Sequence, residues 1–358
     1  MILKKVLCII NNMFLIDKYA PLTKDKVYFH KKIIEKLDVM SKDSSIPHLI
    51  FYGPRGSGKK TFIKILLGLL FDERVHKIRN VVYKVAGSGN SSTDVIIKQS
   101  PFHIEINPNN NNFDRYIIQD VVKKYAMRKP LIKSKNDFKI VLINNVDRLP
   151  YYAQTSLRRT IENYSHICRF VMWCRSLSSV IYPLRSRCFC FRVPSPKYSD
   201  LFKYVYTISM KEGLTLSLEE LTEIIDTSNG NIKKALWALS LKKYNNSMKS
   251  SYDLALESLM KLLMSCSICV IPNIRKVLYN IMITNIEGSL IIKDITNKMI
   301  NKFNFSSENM CKLIDIATYY EYKMVHGRRE IIHLDAFMIS LLQFFLELKK
   351  EKENKKIK

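Results

Sequence analysis

The chain has 358 residues, enough for two or three domains, and 47% of them are hydrophobic, which is ample material for folded cores. Its 58 basic and 32 acidic side chains leave a formal net charge of +26, far from what an enzyme of small metabolites needs. A polyanion such as nucleic acid is therefore the first partner to expect. Lysine is abundant throughout the sequence, so charge alone identifies no function.

Cysteine usage and hydropathy argue against a secreted or membrane-bound protein. The eight cysteines lie scattered, several in apolar runs, as is typical of core residues in a reducing compartment. Cys266 and Cys269 have a zinc-like spacing but no second pair follows them, so no metal site is expected. The apolar run in residues 1–10 lacks a cleavage site, and we expect no stretch that approaches the roughly 20 apolar residues of a membrane span.

The first predicted elements frame a glycine-rich loop. Residues 1–12 precede a second methionine, Met13, and form a possible N-terminal extension. Apolar spacing predicts a helix over residues 33–39, a buried strand over 49–52 and a helix over 61–70. Strand, glycine loop and helix follow one another in the order that a phosphate-binding loop requires.

Strands and helices continue to alternate downstream, which is typical of a parallel sheet covered by helices. The predicted strands are 81–85, 103–106, 139–143, 169–173 and 189–193, and the predicted helices between them are 117–127 and 153–163. Pro194 and Pro196 end this alternation. We therefore place an α/β nucleotide-binding domain at residues 13–195.

The rest of the chain is predicted to be all-α. Its predicted helices are 201–210, 218–226, 232–241, 255–264, 274–283, 310–324 and 334–348. The polar stretch 242–251 reads as a hinge between two helical parts. The predicted domains are a helical lid at 196–243, a helical domain at 252–348 and a frayed basic tail at 349–358.

The glycine-rich loop has both glycines and the lysine of a P-loop. Its residues are Gly53, Pro54, Arg55, Gly56, Ser57, Gly58, Lys59, Lys60 and Thr61. The glycines let backbone N–H groups turn towards phosphate oxygens, and Lys59 would reach the β- and γ-phosphates of a nucleotide. The loop predicts bound ATP or ADP.

Three positions around this loop lack the groups needed for hydrolysis. Lys60 stands where a P-loop has the Ser or Thr that holds Mg²⁺, and Thr61 is one position too far along. Asn144 and Asn145 follow a predicted strand where a Walker-B motif has an Asp and a catalytic Glu. An amide neither carries the charge that holds Mg²⁺ nor takes a proton from water. We expect no metal and no hydrolysis, although Asp147 with distant residues is an alternative set of ligands.

Five stretches resemble the replication factor C small subunits of eukaryotic-type clamp loaders. They are residues 17–21, residues 47–49 with the glycine loop, residues 102–108, residues 153–162, and residues 183–188. The resemblance runs from about Met13 to Leu348 and is closest to the subunit type with a degenerate ATP site at the end of the pentamer. It implies an AAA+ domain, a helical lid and a helical collar that joins subunits.

The resemblance also implies roles for three basic residues. Arg187, in Ser186-Arg187-Cys188, corresponds to the arginine finger that reaches the ATP site of a neighbouring subunit, and an ordinary surface arginine is the alternative. Arg175 and Lys233 correspond to the two sensor positions, where the family has a polar residue and an arginine. Both replacements argue further against hydrolysis.

Surfaces for DNA and clamp are predicted from the same resemblance. Arg115, Lys123 and Lys124 lie in the segment that follows the DNA backbone in such complexes, though they also suit the solvated face of a helix. The apolar stretch 65–71 and the region around Val75 are loosely placed candidates for clamp contact.

The expected function is that of a clamp-loader subunit without independent ATPase activity. Its partners would be the other replication factor C subunits of a heteropentamer, a sliding clamp and primer-template DNA, with no membrane involved. It would act in the nucleus or, if virus-encoded, in a viral replication compartment. A stand-alone AAA+ ATPase acting on DNA and a non-catalytic DNA-binding scaffold are the alternatives.

Overall fold

Two compact units, Met1–Asn246 and Ser247–Lys358, make up the chain. The computed structural model describes residues 14–42, 46–71, 73–87, 92–108, 114–128, 138–244, 251–265, 267–303, 305–327 and 329–357. The possible extension at 1–12, Met13, Cys266 and most of the predicted hinge lie outside the described residues.

A seven-stranded sheet with the order β2-β3-β4-β5-β6-β1-β7 forms the centre of the first unit. Its strands are β1 (His48–Tyr52), β2 (Arg79–Ala86), β3 (Ser92–Gln99), β4 (His103–Ile106), β5 (Lys139–Ile143), β6 (Cys168–Cys174) and β7 (Cys188–Arg192). All neighbours from β4 to β7 in this order pair in parallel, whereas β3 is antiparallel to both β2 and β4. The predicted covered parallel sheet is confirmed for five strands, and the sheet as a whole is mixed.

The antiparallel edge was not expected because β3 carries a weak strand signal. Polar residues such as Asp94 and Lys98 interrupt its apolar positions, and of its side chains only Ile97 is buried. Val82 of β2 and Ile96 of β3 pair directly on the exposed side of the sheet. A strand with so little burial lacks the alternation by which sequence patterns reveal a strand.

Helices cover both faces of this sheet and continue into the lid. They are α1 (Leu15–Lys18), α2 (Lys31–Lys42), α3 (Lys59–Leu70), α4 (Asp114–Tyr116), α5 (Lys123–Met127), α6 (Tyr151–Asn163), α7 (Tyr182–Arg185), α8 (Tyr198–Lys211), α9 (Leu218–Ser228) and α10 (Ile232–Lys243). A π-helical stretch, Ile117–Val122, joins α4 to α5, so the helix predicted at 117–127 is longer and less regular than expected.

The two faces of β1 show how the core is built. Ile50 packs into the cluster that contains Leu157 of α6, while Leu49 and Phe51 pack on the opposite side with Leu66 of α3. This alternation is that of a strand covered on both faces.

The apolar stretch at 65–71 belongs to this core. Ile65, Leu66, Leu67, Leu70 and Phe71 are all buried, and Val75 is buried as well. The prediction that this stretch offers an apolar surface to the clamp is therefore wrong, because α3 turns those side chains towards the sheet.

The lid is tied to the start of the described chain through Glu212. Its nearly buried carboxylate accepts hydrogen bonds from Lys18 at 2.7 Å, Tyr19 at 2.6 Å and Lys243 at 2.7 Å. Desolvation alone would raise the pKa of Glu212, but these three donors outweigh it and lower the pKa to about 2. Lys18 and Tyr19 of the 17–21 stretch thus have a structural role in holding the lid.

The second unit is a bundle of helices. They are α11 (Ser251–Met264), α12 (Ile271–Ile283), α13 (Gly288–Lys302), α14 (Ser307–His326) and α15 (Glu330–Ile357). The helix α13 adds to those predicted, and α15 continues through most of the stretch 349–358 that the sequence suggested would be frayed.

One part of α15 is long and apolar enough to cross a membrane by length and composition. An 18-residue window within residues 330–350 has a mean hydropathy of 1.7, so the expectation that no stretch approaches a membrane span is wrong. Leu334, Phe337 and Leu341 within it are fully buried and pack with Leu256 and Leu278 in the core of the bundle. This packing accounts for the apolar character of α15 as a core helix.

Candidate nucleotide site

The candidate site lies at the carboxyl ends of the parallel strands, where α/β proteins place their ligands. The glycine loop follows β1, Asn107 follows β4, Asn144 follows β5 and Arg175 follows β6. Parallel pairing of these strands brings all four segments to one edge of the sheet.

The glycines of the loop are required by its backbone and its close neighbours. Gly53, Gly56 and Gly58 have φ angles of 149°, 76° and 95°. A Cβ on Gly53 would lie 2.1 Å from the carbonyl oxygen of Val193, and one on Gly56 would lie 1.8 Å from Oδ1 of Asn231. The loop therefore has the narrow glycine geometry of a phosphate cradle, so the residues present fit a nucleotide phosphate.

The other loop residues support this geometry. Pro54 and Arg55 are exposed, Ser57 is buried and donates to the carbonyl oxygen of Pro54 at 3.0 Å, and Thr61 lies in the first turn of α3. Ser57 thus braces the loop from inside, while Arg55 faces outward.

Lys59 is 5% exposed and held inside the loop. Its Nζ donates to the carbonyl oxygens of Gly53 and Pro54, both at 2.6 Å, and lies 5.5 Å from the ring centroid of Trp173. Burial lowers the pKa of Lys59, and the charge of Asp147 opposes this shift. The ammonium is thus held inside the loop, where phosphate oxygens would enter.

Lys60 lies beside Lys59 in the first turn of α3 and over the same aromatic ring. Its Nζ is 5.3 Å from the ring centroid of Trp173, and its charge interacts with Glu105 and Lys233. Lys60 thus places an ammonium at the sequence position where a P-loop has the Ser or Thr hydroxyl that binds Mg²⁺. The carboxylate of Glu105, from β4, lies nearby.

Asn144 is 1% exposed and uses both ends of its amide. Its Nδ2 donates to Oε1 of Glu105 at 2.6 Å and to Oδ1 of Asn107, while its Oδ1 accepts from Nε1 of Trp173 at 2.5 Å. We refer to Lys60, Glu105, Asn107, Asn144 and Trp173 as the nucleotide corner. Asn144, at the end of β5, thus links the acceptors on Glu105 and Asn107 to the donor on Trp173.

Asn145 and Asp147 begin the turn that follows. Asn145 is half-buried with a φ of 47°, in the left-handed region that asparagine tolerates. Asp147 accepts the backbone N–H of Arg175 at 3.2 Å on Oδ2, while its buried Oδ1 has no hydrogen-bond partner within the described residues. Asp147 therefore reaches the site, and its carboxylate interacts with the charge of Lys59.

These groups do not fit a Mg²⁺ ion. Lys60 presents an ammonium, and Asn144 turns its N–H groups towards Glu105 and gives its oxygen to Trp173. Mg²⁺ needs oxygen ligands in near-octahedral geometry. Across the described part of the chain, no three His, Cys, Asp or Glu side chains lie together in a way that could hold a metal.

The lid contacts the glycine loop directly. The backbone N–H of Ile232 donates to the carbonyl oxygen of Gly56 at 3.3 Å, and Asn231 caps α10 by accepting from the N–H groups of Lys233 and Lys234. Lys233 is exposed, but its charge interacts with Lys60. The structure therefore brings this predicted lid residue to the site.

Arg187 lies apart from the loop, between α7 and β7. Its Nη1 donates to the carbonyl oxygen of Pro183 at 2.8 Å and to Oγ of Ser186 at 3.3 Å, while its Nη2 pairs with Glu162 of α6. Arg158 shares the same carboxylate, with its Nε 3.3 Å from Oε1. We call Arg158, Glu162, Pro183 and Arg187 the arginine face.

The predicted DNA-contact residues lie on the helical segment 114–127. Arg115 and Lys123 are exposed, and the guanidinium of Arg115 is 5.8 Å from the ring centroid of Tyr152. Lys124 is also exposed but pairs with Asp120 at 2.6 Å. Lys124 therefore has an intramolecular partner for its charge.

Sequence reasoning missed the partners of these residues. Glu105 was noted only as part of a predicted strand and of the stretch that carries the resemblance, Asn107 only as part of that stretch, and Trp173 only as part of a strand. The convergence of strand carboxyl ends is the signal that could have placed Glu105 and Asn107 beside Asn144. Nothing in the sequence pattern reveals that Glu162 meets Arg187.

A mixed, mainly parallel sheet, a glycine loop before a helix and a helical lid that touches this loop define an AAA+ P-loop nucleotide-binding chain. Residues 29–197 match the family described as DNA polymerase III, delta subunit, and residues 254–350 match that of the replication factor C subunit 3 C-terminal domain. The chain is 38% identical to a putative replication factor C small subunit of Acanthamoeba polyphaga mimivirus over 96% of this chain and 94% of the relative. It belongs to the replication factor C small-subunit family.

Cellular relatives and solved structures extend the comparison. Replication factor C subunit 3 of Arabidopsis thaliana is 31% identical over 93% of this chain and 98% of its own. The human protein of the same name is 30% identical over 92% and 95%. The solved structure of the Thermotoga maritima RuvB Holliday junction branch migration motor aligns with 70% of this chain and 74% of its own, at 14% identity and a TM-score of 0.44.

Proposed function

We propose that the chain is a clamp-loader subunit that helps to place a sliding clamp on primer-template DNA during replication. The observation that carries this proposal is its similarity, over nearly its whole length, to proteins named replication factor C small subunits. It would act with other replication factor C subunits, at nuclear or viral replication sites.

Coexpression tests this assignment. The chain should copurify with related subunits as a complex of five, and that complex should load a closed clamp onto nicked or primed circular DNA. A chain that stays alone in the presence of those subunits, or a complex that loads equally well without it, would contradict the assignment.

The nucleotide site of this chain is proposed to bind ATP or ADP without Mg²⁺ and without hydrolysing it. The glycine cradle and Lys59 support phosphate binding, while the engaged amide of Asn144 and the ammonium of Lys60 support the absence of a metal. The ammonium of Lys60 would supply positive charge near the phosphates, and its neighbour Glu105 would fix it in place.

Calorimetric titration of the purified chain tests this proposal. ADP should bind with an affinity that differs less than about threefold between excess EDTA and excess Mg²⁺, and Lys59→Ala should weaken binding at least tenfold. The chain alone should not turn over ATP. A strict requirement for Mg²⁺, or turnover that Lys59→Ala abolishes, would contradict the proposal.

One observation favours the alternative of an active ATPase. Asp147 interacts with Lys59 and keeps one carboxylate oxygen without a hydrogen-bond partner within the described residues, so it is the candidate metal ligand for such an activity. If the lone chain hydrolyses ATP and Asp147→Asn removes that activity while Glu105→Gln preserves it, the alternative holds.

Arg187 is proposed to act in trans on the ATP site of a neighbouring subunit. The proposal is supported by a side chain that is 32% exposed, which leaves part of the charged guanidinium accessible from outside the chain. Arg115 and Lys123 are proposed to contact phosphates of the duplex, since both are exposed on one helical segment. Phosphate contacts of this kind give binding without sequence preference.

A further inference from the structure

We propose that Glu162 is a positioning residue for Arg187 and holds its guanidinium ready for the phosphate of the neighbouring subunit. This inference rests on the proposed role of Arg187 in trans. Each terminal nitrogen of Arg187 has an acceptor within the same chain. Nη1 donates to the carbonyl oxygen of Pro183 at 2.8 Å, and Nη2 pairs with the carboxylate of Glu162. The side chain is thereby fixed in one direction.

The support for Glu162 is rigid. It follows Ile161 on α6, whose inner face is fixed by Leu157, 0% exposed, and Ile161, 1% exposed. Thr160 is also buried and donates to the carbonyl oxygen of Ser156 within the helix at 3.1 Å. The carboxylate of Glu162 is thus presented from a helix that is anchored in the core.

The ion pair between Glu162 and Arg187 can orient the guanidinium and can also be exchanged for another partner. The side chains of Arg187 and Glu162 are 32% and 38% exposed, and exposed ion pairs contribute little to stability. A phosphate carries more charge than one carboxylate, so it can replace Glu162 as the partner of Arg187. Orientation in advance removes the need to order a flexible side chain when the reaction occurs.

Arg158 gives Glu162 a second partner. Its Nε lies 3.3 Å from the same Oε1, so the carboxylate keeps a cation when Arg187 turns towards a phosphate. Desolvation alone would raise the pKa of Glu162, but hydrogen bonds from Arg158 and Arg187 outweigh it and lower the pKa. Glu162 is therefore ionised at neutral pH.

The test uses a reconstituted five-subunit complex in which only the ATP site facing Arg187 is competent for hydrolysis. Glu162→Gln should lower kcat for ATP by between about 10- and 100-fold and change KM less than about threefold, because it affects orientation rather than nucleotide binding. Glu162→Asp should give an intermediate loss. Glu223→Gln, at an exposed glutamate of the lid, is the matched control and should leave kcat unchanged.

A double-mutant cycle separates positioning from a general structural effect. The variant with Glu162→Gln and Arg187→Ala together should be no slower than Arg187→Ala alone, because Glu162 acts only through Arg187. Unchanged kcat in Glu162→Gln, or losses that multiply in the double variant, would overturn the inference. If Arg187→Ala itself has no effect on the assembled complex, the proposed trans role fails instead.

Discussion

The nucleotide corner and the arginine face both depend on side-chain hydrogen bonds, but their central residues differ in burial. Asn144 is 1% exposed and its amide has partners at both ends, whereas Arg187 and Glu162 keep 32% and 38% of their side-chain surfaces exposed. A buried amide with partners at both ends resists exchange of those partners, while a half-exposed ion pair can exchange one anion for another. The chain thus combines a buried, fully paired amide at Asn144 with an oriented but exchangeable ion pair at Arg187.

Removal of Arg187 tests the exposed ion pair in this comparison. Arg187→Ala should slow hydrolysis at the facing ATP site about 10³-fold, because arginine fingers stabilise the charge that develops on the transferred phosphoryl group. Single-turnover hydrolysis in the assembled complex measures this loss. Arg192→Ala, at an exposed arginine on β7, is the control. Equal losses in both variants would show that the effect is not specific to Arg187.

A charge placed at the buried residue Asn144 should destabilise the fold. Asn144→Asp removes the N–H donors to Glu105 and Asn107 and puts a second carboxylate beside Glu105, which should cost about 2–4 kcal/mol of unfolding free energy at pH 7. Urea denaturation measures this change.

Asn145→Asp provides a matched control for the same substitution one residue later. Asn145 is half-buried and its side chain has no hydrogen bond within the described residues, so the cost should stay below about 1 kcal/mol. Similar losses for both positions would mean that the hydrogen bonds of Asn144 are not what distinguishes the corner.

Acid should lower the stability of the fold through two buried histidines that begin strands leading to the nucleotide site. His48 begins β1 and accepts the N–H of Phe170 at 3.1 Å, while His103 begins β4 and its Nδ1 lies 2.7 Å from Oγ of Ser100. Burial lowers the pKa of both histidines to about 4, so each is neutral in the folded chain at neutral pH.

The direction of the pH effect follows from these values. The unfolded chain takes up protons below about pH 6.5 and the folded chain only near pH 4, so stability is lost as the pH falls through that window. At pH 5 each histidine should cost about 2 kcal/mol. Urea denaturation from pH 7 to 5 should give a shallower slope for His48→Asn, with exposed His166→Asn as control. An unchanged slope would contradict this assignment.

The smallest expected effect concerns DNA. If Lys123 contacts a phosphate, Lys123→Ala should reduce the slope of log affinity against log salt by about 1 for primer-template binding by the assembled complex. Lys124→Ala is the neighbouring control and should change the slope less, because Lys124 pairs with Asp120 at 2.6 Å. Equal slopes for the original chain and Lys123→Ala would remove Lys123 from the contact set.

Sequence patterns predicted the buried parallel strands well, because a strand covered on both faces is a short apolar run. The predicted ranges 103–106 and 139–143 coincide with β4 and β5, and the glycine loop lies where expected. The antiparallel strand β3 escaped prediction since only Ile97 among its side chains is buried. The apolar run 65–71 shows the opposite problem, because apolar character alone does not distinguish an interface from a core.

The hydrogen-bond partners in the site could not be predicted from one sequence. Asn144 and Glu105 are 39 positions apart, and Asn144 and Trp173 are 29 apart. Such pairs form because neighbouring strands end at the same edge, so their identity depends on strand order and register rather than on local patterns. Motif spacing indicated which groups are missing around Lys59, and only the fold indicated which groups take their place.

The contact between the lid and the glycine loop couples the positions of these two segments. Because Ile232 donates to the carbonyl oxygen of Gly56 and Asn231 leaves no space for a Cβ there, displacement of the loop tip also displaces the start of α10. If, as proposed, the site does not hydrolyse ATP, no chemical step triggers the release of a bound nucleotide. The residence time of a bound nucleotide would then be governed by the opening rate of the lid, and Glu212, which anchors the lid to Lys18 and Tyr19, would help to set that rate.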